Sequence, residues 1–136
     1  MARYLAVAYQ TSESPEFVEA LKGLAATDPD AEFVLVIPAT PVKHLGAWTE
    51  GEARAAAEQK ATQARARLEA AGVNIVDWRV GDAHPYLATI DALADDQFDA
   101  VIVSTFPPGI SRWLRFDVVK RLKRDIDLPV THVIAH

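Results

Sequence analysis

Cysteine is absent from the 136 residues of this chain, which excludes disulfides and thiolate metal sites and removes any argument for an oxidising compartment. Long apolar runs are absent as well. None approaches the roughly 18–20 residues that a membrane span needs. The chain enters a strand-like segment at Tyr4, without the charged, apolar and small-residue succession of a signal peptide. Positive charge is in deficit: 14 Lys and Arg stand against 19 Asp and Glu, a net charge of −5. That balance keeps the chain soluble and disfavours nucleic-acid binding by counterion release. Together these absences point to the cytoplasm.

Motifs with a fixed chemistry are missing too. There is no G-x-S-x-G elbow, no Walker loop and no G-x-G-x-x-G fingerprint. His44, His84, His132 and His136 are scattered, with neither H-x-x-H nor H-E-x-x-H spacing, so metal ligation is not expected. The acidic pairs Asp77/Asp82 and Asp95/Asp96 have no nucleophile or base partner beside them. No catalytic constellation emerges, and an enzyme is not expected.

What is present is a regular alternation. Half of the residues are hydrophobic, enough for one domain over residues 1–136 with a core of its own. Short apolar runs start at Tyr4, Phe33, Val73, Ala100 and Leu128. Segments of helical period separate them. Ser14-Pro15 reads as an N-cap followed by proline at the first helical position, with Phe17, Leu21 and Leu24 on one stripe behind it. Asp28-Pro29-Asp30 stops that helix. Thr49 and Glu52 have the spacing of a capping box, and Ala53, Ala57, Ala64, Leu68 and Ala71 form a small-residue face for close approach to a sheet. Gly72 is the expected left-handed stop. In Val73–Val80 the alternation sets Val73, Ile75, Asp77 and Arg79 against Asn74, Val76, Trp78 and Val80, a mixed pattern that suits an edge strand. A helix is expected over 111–125, with basic side chains crowding one face. The simplest account of that face is solvation, its late cations complementing the helix C-terminus. Five strands joined by four helices imply a doubly wound α/β domain with a parallel sheet and helices on both faces.

One stretch is more specific. Gly81-Asp82, Pro85, Ile90 and then Asp99-Ala100-Val101-Ile102-Val103 resemble the "GD-x-x-P … I … D-hydrophobic-I-V" pattern of universal stress proteins. The closing Leu128-Pro129-Val130-Thr131-His132-Val133 is similar to the last strand of that family. The resemblance implies strand order 3-2-1-4-5 and a regulatory or ligand-sensing role. It also implies a homodimer through the C-terminal strand, Val130 to Ile134, whose apolar edge would invite a symmetry mate.

In the nucleotide-binding branch of the family a Gly-x-x-Gly loop after the fourth strand and a later Gly-Ser pair hold phosphates, because glycine lets backbone N–H groups approach an anion. Here the stretch is Ser104-Thr105-Phe106-Pro107-Pro108-Gly109-Ile110-Ser111-Arg112-Trp113. Gly109 is its one glycine, and Pro107 and Pro108 have no N–H to offer. Phe116 and Asp117 stand near the place of the Gly-Ser pair. The family's acidic residue after the first strand is replaced by Ala8-Tyr9-Gln10-Thr11-Ser12. These departures argue against ATP, and no cofactor is expected.

Ser104, Thr105, Gly109, Ser111 and Arg112, with Thr11 and Ser12 facing the same crevice, are the candidate anion or ligand site at the carboxyl ends of the strands. The competing account is ordinary: Ser111 caps a helix, and the other hydroxyls satisfy turns. In the alternative that keeps ATP or AMP, Ser104, Thr105, Ser111 and Arg112 replace the glycines, and backbone near Ala8 and the end of the second strand holds adenine. For Phe106, Pro107, Pro108, Ile110 and Trp113, with Trp48, three readings stay open: a pocket wall, a satellite core, or a subunit contact.

Overall fold

The computed structural model describes residues 2–39, 50–107 and 118–135. Within them the chain runs β1 (Arg3–Val7), α1 (Pro15–Thr27), β2 (Glu32–Pro38), α2 (Glu50–Ala70), β3 (Ile75–Gly81), α3 (Pro85–Asp95), β4 (Ala100–Thr105), α4 (Val118–Asp125) and β5 (Val130–Ile134). The five strands form one sheet in the order β3-β2-β1-β4-β5, and every pairing is parallel. This is the order that the family resemblance implies. α1 packs beside α2, and α3 beside α4; right-handed crossovers put the two pairs on opposite faces.

The central strands are covered on both sides, which is why their sequences are continuously apolar rather than alternating. Leu5, Ala6 and Val7 of β1, Phe33 to Ile37 of β2, and Val101, Ile102 and Val103 of β4 are all buried. α1 contributes Phe17, Val18 and Leu21, and α2 its alanine stripe of Ala53, Ala57, Ala61 and Ala64, ending in Leu68. The helix boundaries follow their caps. Ser14 Oγ accepts from the Phe17 N–H at 3.2 Å, Pro15 occupies the first turn, and Asp28 closes α1. Gly72 follows α2 at φ +90°, a conformation that favours glycine. The capping box at Thr49 and the segment 111–117 of the expected last helix lie outside the described residues.

β3 is indeed an edge strand, but its alternation is not the simple one of the sequence. Phe33 pairs with Ile75 and Val34 with Asp77, a register shift that marks a bulge. Trp78 then pairs with Leu35, so Ile75 and Trp78 share a face of the sheet instead of opposing each other. One extra residue in the strand reverses the parity beyond it.

At the amino ends of the strands, Arg3 joins three segments. Its guanidinium bonds Glu32 of β2 at 2.9 Å and also pairs with Asp96 after α3. The Arg3 N–H donates to Asp99 Oδ2, and the Asp99 N–H donates to the Arg3 carbonyl, both at 2.8 Å. The Gln97 N–H, and Arg3 beside it, hold the Asp96 carboxyl below its ordinary range.

The Gly81-Asp82-x-x-Pro85 motif has a local explanation. Asp82 Oδ1 accepts from the His84 N–H at 2.8 Å, which turns the chain, and Pro85 opens α3. Gly81 stands where α3 crosses closest to the sheet: a Cβ there would meet the Ala88 Cβ at 2.6 Å and the Val36 Cγ1 at 3.4 Å. Gly81→Ala must push α3 off the sheet and is expected to destabilise the fold by about 1–3 kcal/mol. Gly23, inside α1 with nothing within 4 Å of its would-be Cβ, is the control, and Gly23→Ala should stabilise by roughly 0.5–1 kcal/mol. Urea midpoints of the two variants check both signs. A neutral Gly81→Ala would show that the close approach is not a constraint.

Candidate functional site

Strand order reverses between β1 and β4: the chain leaves β1 toward β2 and β3, then crosses back to β4 and β5. In an open parallel sheet the crevice outside the carboxyl ends of such a strand pair is where ligands bind. The polar groups of this chain collect there. Among the described residues five polar side chains are buried, namely Thr11, Ser12, Thr89, Ser104 and Thr105. The exception, Thr89, is satisfied within α3, donating to the Pro85 carbonyl at 2.8 Å. The other four follow β1 or end β4.

Their hydrogen bonds show how this end is assembled. After β1 the chain turns tightly, the Ser12 N–H donating to the Tyr9 carbonyl at 3.1 Å and the Ser14 N–H to the Thr11 carbonyl at 3.0 Å. These turns carry the Thr11 side chain across to β4, where Thr11 Oγ1 and Ser104 Oγ lie 2.7 Å apart. One hydroxyl donates and the other accepts, so the pair keeps one hydrogen free for a further acceptor. On β4 the Thr105 hydroxyl donates to the Phe106 carbonyl at 2.8 Å, and its oxygen lies 2.7 Å from His132 Nε2 on β5. The Thr105 hydrogen is committed to the carbonyl, so in this arrangement the imidazole is the donor, with its proton on Nε2. Burial, assisted by Lys123 of α4, lowers the pKa of His132, which favours the neutral ring. Burial likewise raises the pKa of Tyr9.

Two oxygens on this connection have no partner. Ser12 Oγ and Glu16 Oε1, in the first turn of α1, are buried without a hydrogen bond; Arg3 Nε, at the opposite end of the sheet, is the third such atom among the described residues. A buried hydroxyl left unpaired costs on the order of 1–3 kcal/mol unless water or a ligand meets it.

The structure thus brings Thr11, Ser12, Ser104 and Thr105 to one end of two adjacent strands. Thr11 does more than the ordinary turn chemistry that is the simpler account of it from sequence, since it bonds across the switch point. Gly109, Ser111 and Arg112 lie outside the described residues, as do Trp48, Pro108, Ile110, Trp113, Phe116 and Asp117. Sequence reasoning misses His132 as a member of this cluster, because metal-ligand spacing says nothing of a partner 27 residues away. The usable signal was a histidine inside a largely apolar closing strand, a position where the ring N–H needs a partner.

No protein-family model matches the sequence, and no curated protein matches it. Solved structures do match. A protein of the universal stress protein family from Burkholderia pseudomallei is 17% identical, with 96% of this chain and 94% of that one covered and a TM-score of 0.65. A universal stress protein in complex with cAMP is 17% identical over 100% of both chains, with a TM-score of 0.62. The universal stress protein from Archaeoglobus fulgidus in complex with dAMP is 14% identical, covering 98% of this chain and 97% of its own, with a TM-score of 0.64. The fold is therefore that of the universal stress proteins, the one which Gly81-Asp82-x-x-Pro85 and the closing strand suggest. Identities this low establish architecture and nothing about the ligand.

The Thr11–Ser104 pair can be tested by a double-mutant cycle. Thr11→Val or Ser104→Ala alone strands a buried hydroxyl, and each should cost about 1–3 kcal/mol. The double variant strands none and should cost clearly less than the two single losses added together. Additive losses in urea unfolding would show that the two hydroxyls do not depend on each other.

Proposed function

We propose that the chain is a cytoplasmic, stress-associated regulatory protein of universal stress protein type, one domain over residues 1–136, that senses a small ligand without catalysis. Its ligand crevice lies at the carboxyl ends of β1 and β4 against Thr11, Ser12, Ser104 and Thr105, with Gly109, Ser111 and Arg112 supplied by the following loop. The observation that carries this reading is the hydroxyl cluster itself: Thr11 bonded to Ser104 across the switch point at 2.7 Å, beside a buried Ser12 Oγ with no partner.

The Thr105 hydroxyl speaks against nucleophilic catalysis. Activation of a hydroxyl requires the imidazole to accept its proton, whereas Thr105 donates to the Phe106 carbonyl at 2.8 Å. Against a triphosphate stand Pro107 and Pro108, which offer no N–H where the family's phosphate loop has glycine, and the carboxylate of Asp117.

A second reading has one observation in its favour. Two proteins of the same fold were solved with cAMP and with dAMP, ligands bearing a single phosphate. In that reading this crevice takes an adenine mononucleotide through a non-standard loop, with Ser104, Thr105, Ser111 and Arg112 in place of the glycines.

Calorimetry with ATP and AMP, with and without magnesium, separates the two. The first reading expects no binding tighter than about 100 μM, equivalent to roughly 5 kcal/mol. Tighter binding of AMP or ATP at the crevice would replace it with the second.

The partner we propose is a second copy of this chain, joined along β5. That strand is bonded on one side to β4 and is the last in the sheet, so among the described residues nothing pairs with its outer edge along Val130–Ile134. Sedimentation equilibrium at micromolar concentration should give twice the chain mass. The mass of one chain would remove the dimer.

A further inference from the structure

Solvation is the simplest account of the basic face of α4 from sequence, but the structure shows one of its cations held in place. Lys120, Arg121, Lys123 and Arg124 make up half of that helix, and Asp125 is its one carboxylate. Asp125 is already engaged. It accepts the Tyr86 hydroxyl from α3, and Arg124 grips it through two nitrogens at 2.7 and 3.1 Å. Among the described residues Lys120, Arg121 and Lys123 have no carboxylate oxygen within 4.0 Å. Arg121 lies instead over the Tyr86 ring, its guanidinium carbon 3.9 Å from the centroid. Tyr86 is itself pinned to α4 by Asp125, so the stacked Arg121 is oriented while its N–H groups remain unbonded.

The neighbouring surface is apolar. Leu87 follows Tyr86 on α3 and is 46% exposed, one of two large apolar side chains so exposed among the described residues. Ile90, one turn further on, is only partly buried. α3 and α4 pack side by side, which joins an apolar strip on one helix to a cationic strip on the other.

We propose that this joined face of α3 and α4 is a docking surface for an acidic segment of another protein, with carboxylates on Lys120 and Arg121 and an apolar side chain on Leu87. The surface is independent of the ligand crevice between β1 and β4. Charge complementarity selects the occupant. The chain carries a net charge of −5, so an acidic partner is repelled by the molecule as a whole and attracted at α4, which orients the encounter. Asp91, exposed one turn beyond Leu87, keeps the partner's carboxylates over α4 and off α3. The stacking of Arg121 reduces what must be ordered on binding, because the planar fork is oriented beforehand. Nucleic acid fits this face less well. Strong backbone binding draws on about 6–10 phosphate contacts, and an exposed leucine offers nothing to a phosphate.

A peptide of about a dozen residues, glutamate apart from two leucines one helical turn apart, is the probe. It is titrated into the full chain and followed by amide shifts. The same peptide with glutamine for glutamate, and a single-stranded oligonucleotide of equal charge, are titrated in parallel. Each titration is made at about 10 mM and about 100 mM salt, between which the screening length falls from about 30 to about 10 Å. The glutamate peptide should move the Tyr86, Leu87, Lys120 and Arg121 amides and bind more weakly at the higher salt. Lys120→Glu and Leu87→Ser alter exposed side chains, so their urea midpoints should stay near the parent's, while each weakens the peptide by about three- to tenfold. Arg121→Lys keeps the charge but loses the stacked fork, and should cost about threefold. A peptide that moves none of these amides, or that binds Lys120→Glu as tightly as the parent, would overturn the proposal. Equal binding of the glutamine peptide would do the same, since charge would not be what the face reads. An oligonucleotide that moves these amides and binds more tightly than the glutamate peptide at the higher salt would make the face a nucleic-acid surface instead.

Discussion

A polar side chain at the end of a strand covered on both faces must find a partner inside the protein, and that constraint shapes the carboxyl end of this sheet. β1 and β4 lie in the middle of the sheet, walled by helices on either side, so their last residues emerge into buried surroundings rather than into water. Thr11 and Ser104 answer the constraint by bonding each other, and Thr105 by bonding a neighbouring carbonyl and a histidine. Ser12 Oγ does not. A hydroxyl that is both buried and unpaired in an otherwise well-satisfied cluster is the feature that packing alone does not account for.

The two ends of the sheet meet their polar obligations differently. At the amino ends Arg3 gathers Glu32, Asp96 and Asp99 into a partly exposed charged clamp. Such pairs contribute modestly in water, yet this one joins β1, β2 and the entry to β4, the three strands whose mutual register the core depends on. At the carboxyl ends the buried polar groups are neutral hydroxyls, with Glu13 and Glu16 after β1 and Asp82 after β3 as charged neighbours in the chain. Neutral hydroxyls bond without imposing a charge of their own, so the sign of the local potential is a question of the charged groups nearest to them. The acidic overall charge of the chain, spread over its surface, is screened within about 10 Å at ordinary salt and does not decide that local question.

The architecture was largely readable from the residues because it rests on local signals. Continuous apolar runs announced central parallel strands, and Ser14-Pro15, Asp28 and Gly72 bounded helices by cap chemistry that acts within four residues. Gly81 was legible as part of a motif, although its cause, the approach of Ala88 to within 2.6 Å of a would-be Cβ, belongs to tertiary packing. The β3 alternation misled at the bulge, since a one-residue insertion is set by the partner strand and leaves no mark in the composition of its own. The candidate site divided along the same line. Thr11, Ser12, Ser104 and Thr105 could be proposed from their places after strands. The bond between Thr11 and Ser104 could not, because 93 residues of chain separate them and sheet order alone brings them together. The contact of His132 with Thr105 was hidden for the same reason: it is fixed by the register of β4 against β5.

Shared architecture with nucleotide-bound universal stress proteins establishes the fold and leaves the chemistry at the carboxyl ends of β1 and β4 open. Phosphate binding by backbone depends on N–H groups free to converge on an anion. A chain with prolines at two of those places must recruit side chains instead. Hydroxyls suit that task only in part, because each contributes one hydrogen, and here those of Thr105 and of one member of the Thr11–Ser104 pair are already committed. Among the described residues two hydroxyl hydrogens remain, one from that pair and one from Ser12. On their own these are a short supply for a triphosphate with its many oxygens, and a reasonable one for a single small group that exchanges one or two hydrogen bonds. For the proposed site it is this arithmetic of donors, more than the resemblance of folds, that favours a modest ligand.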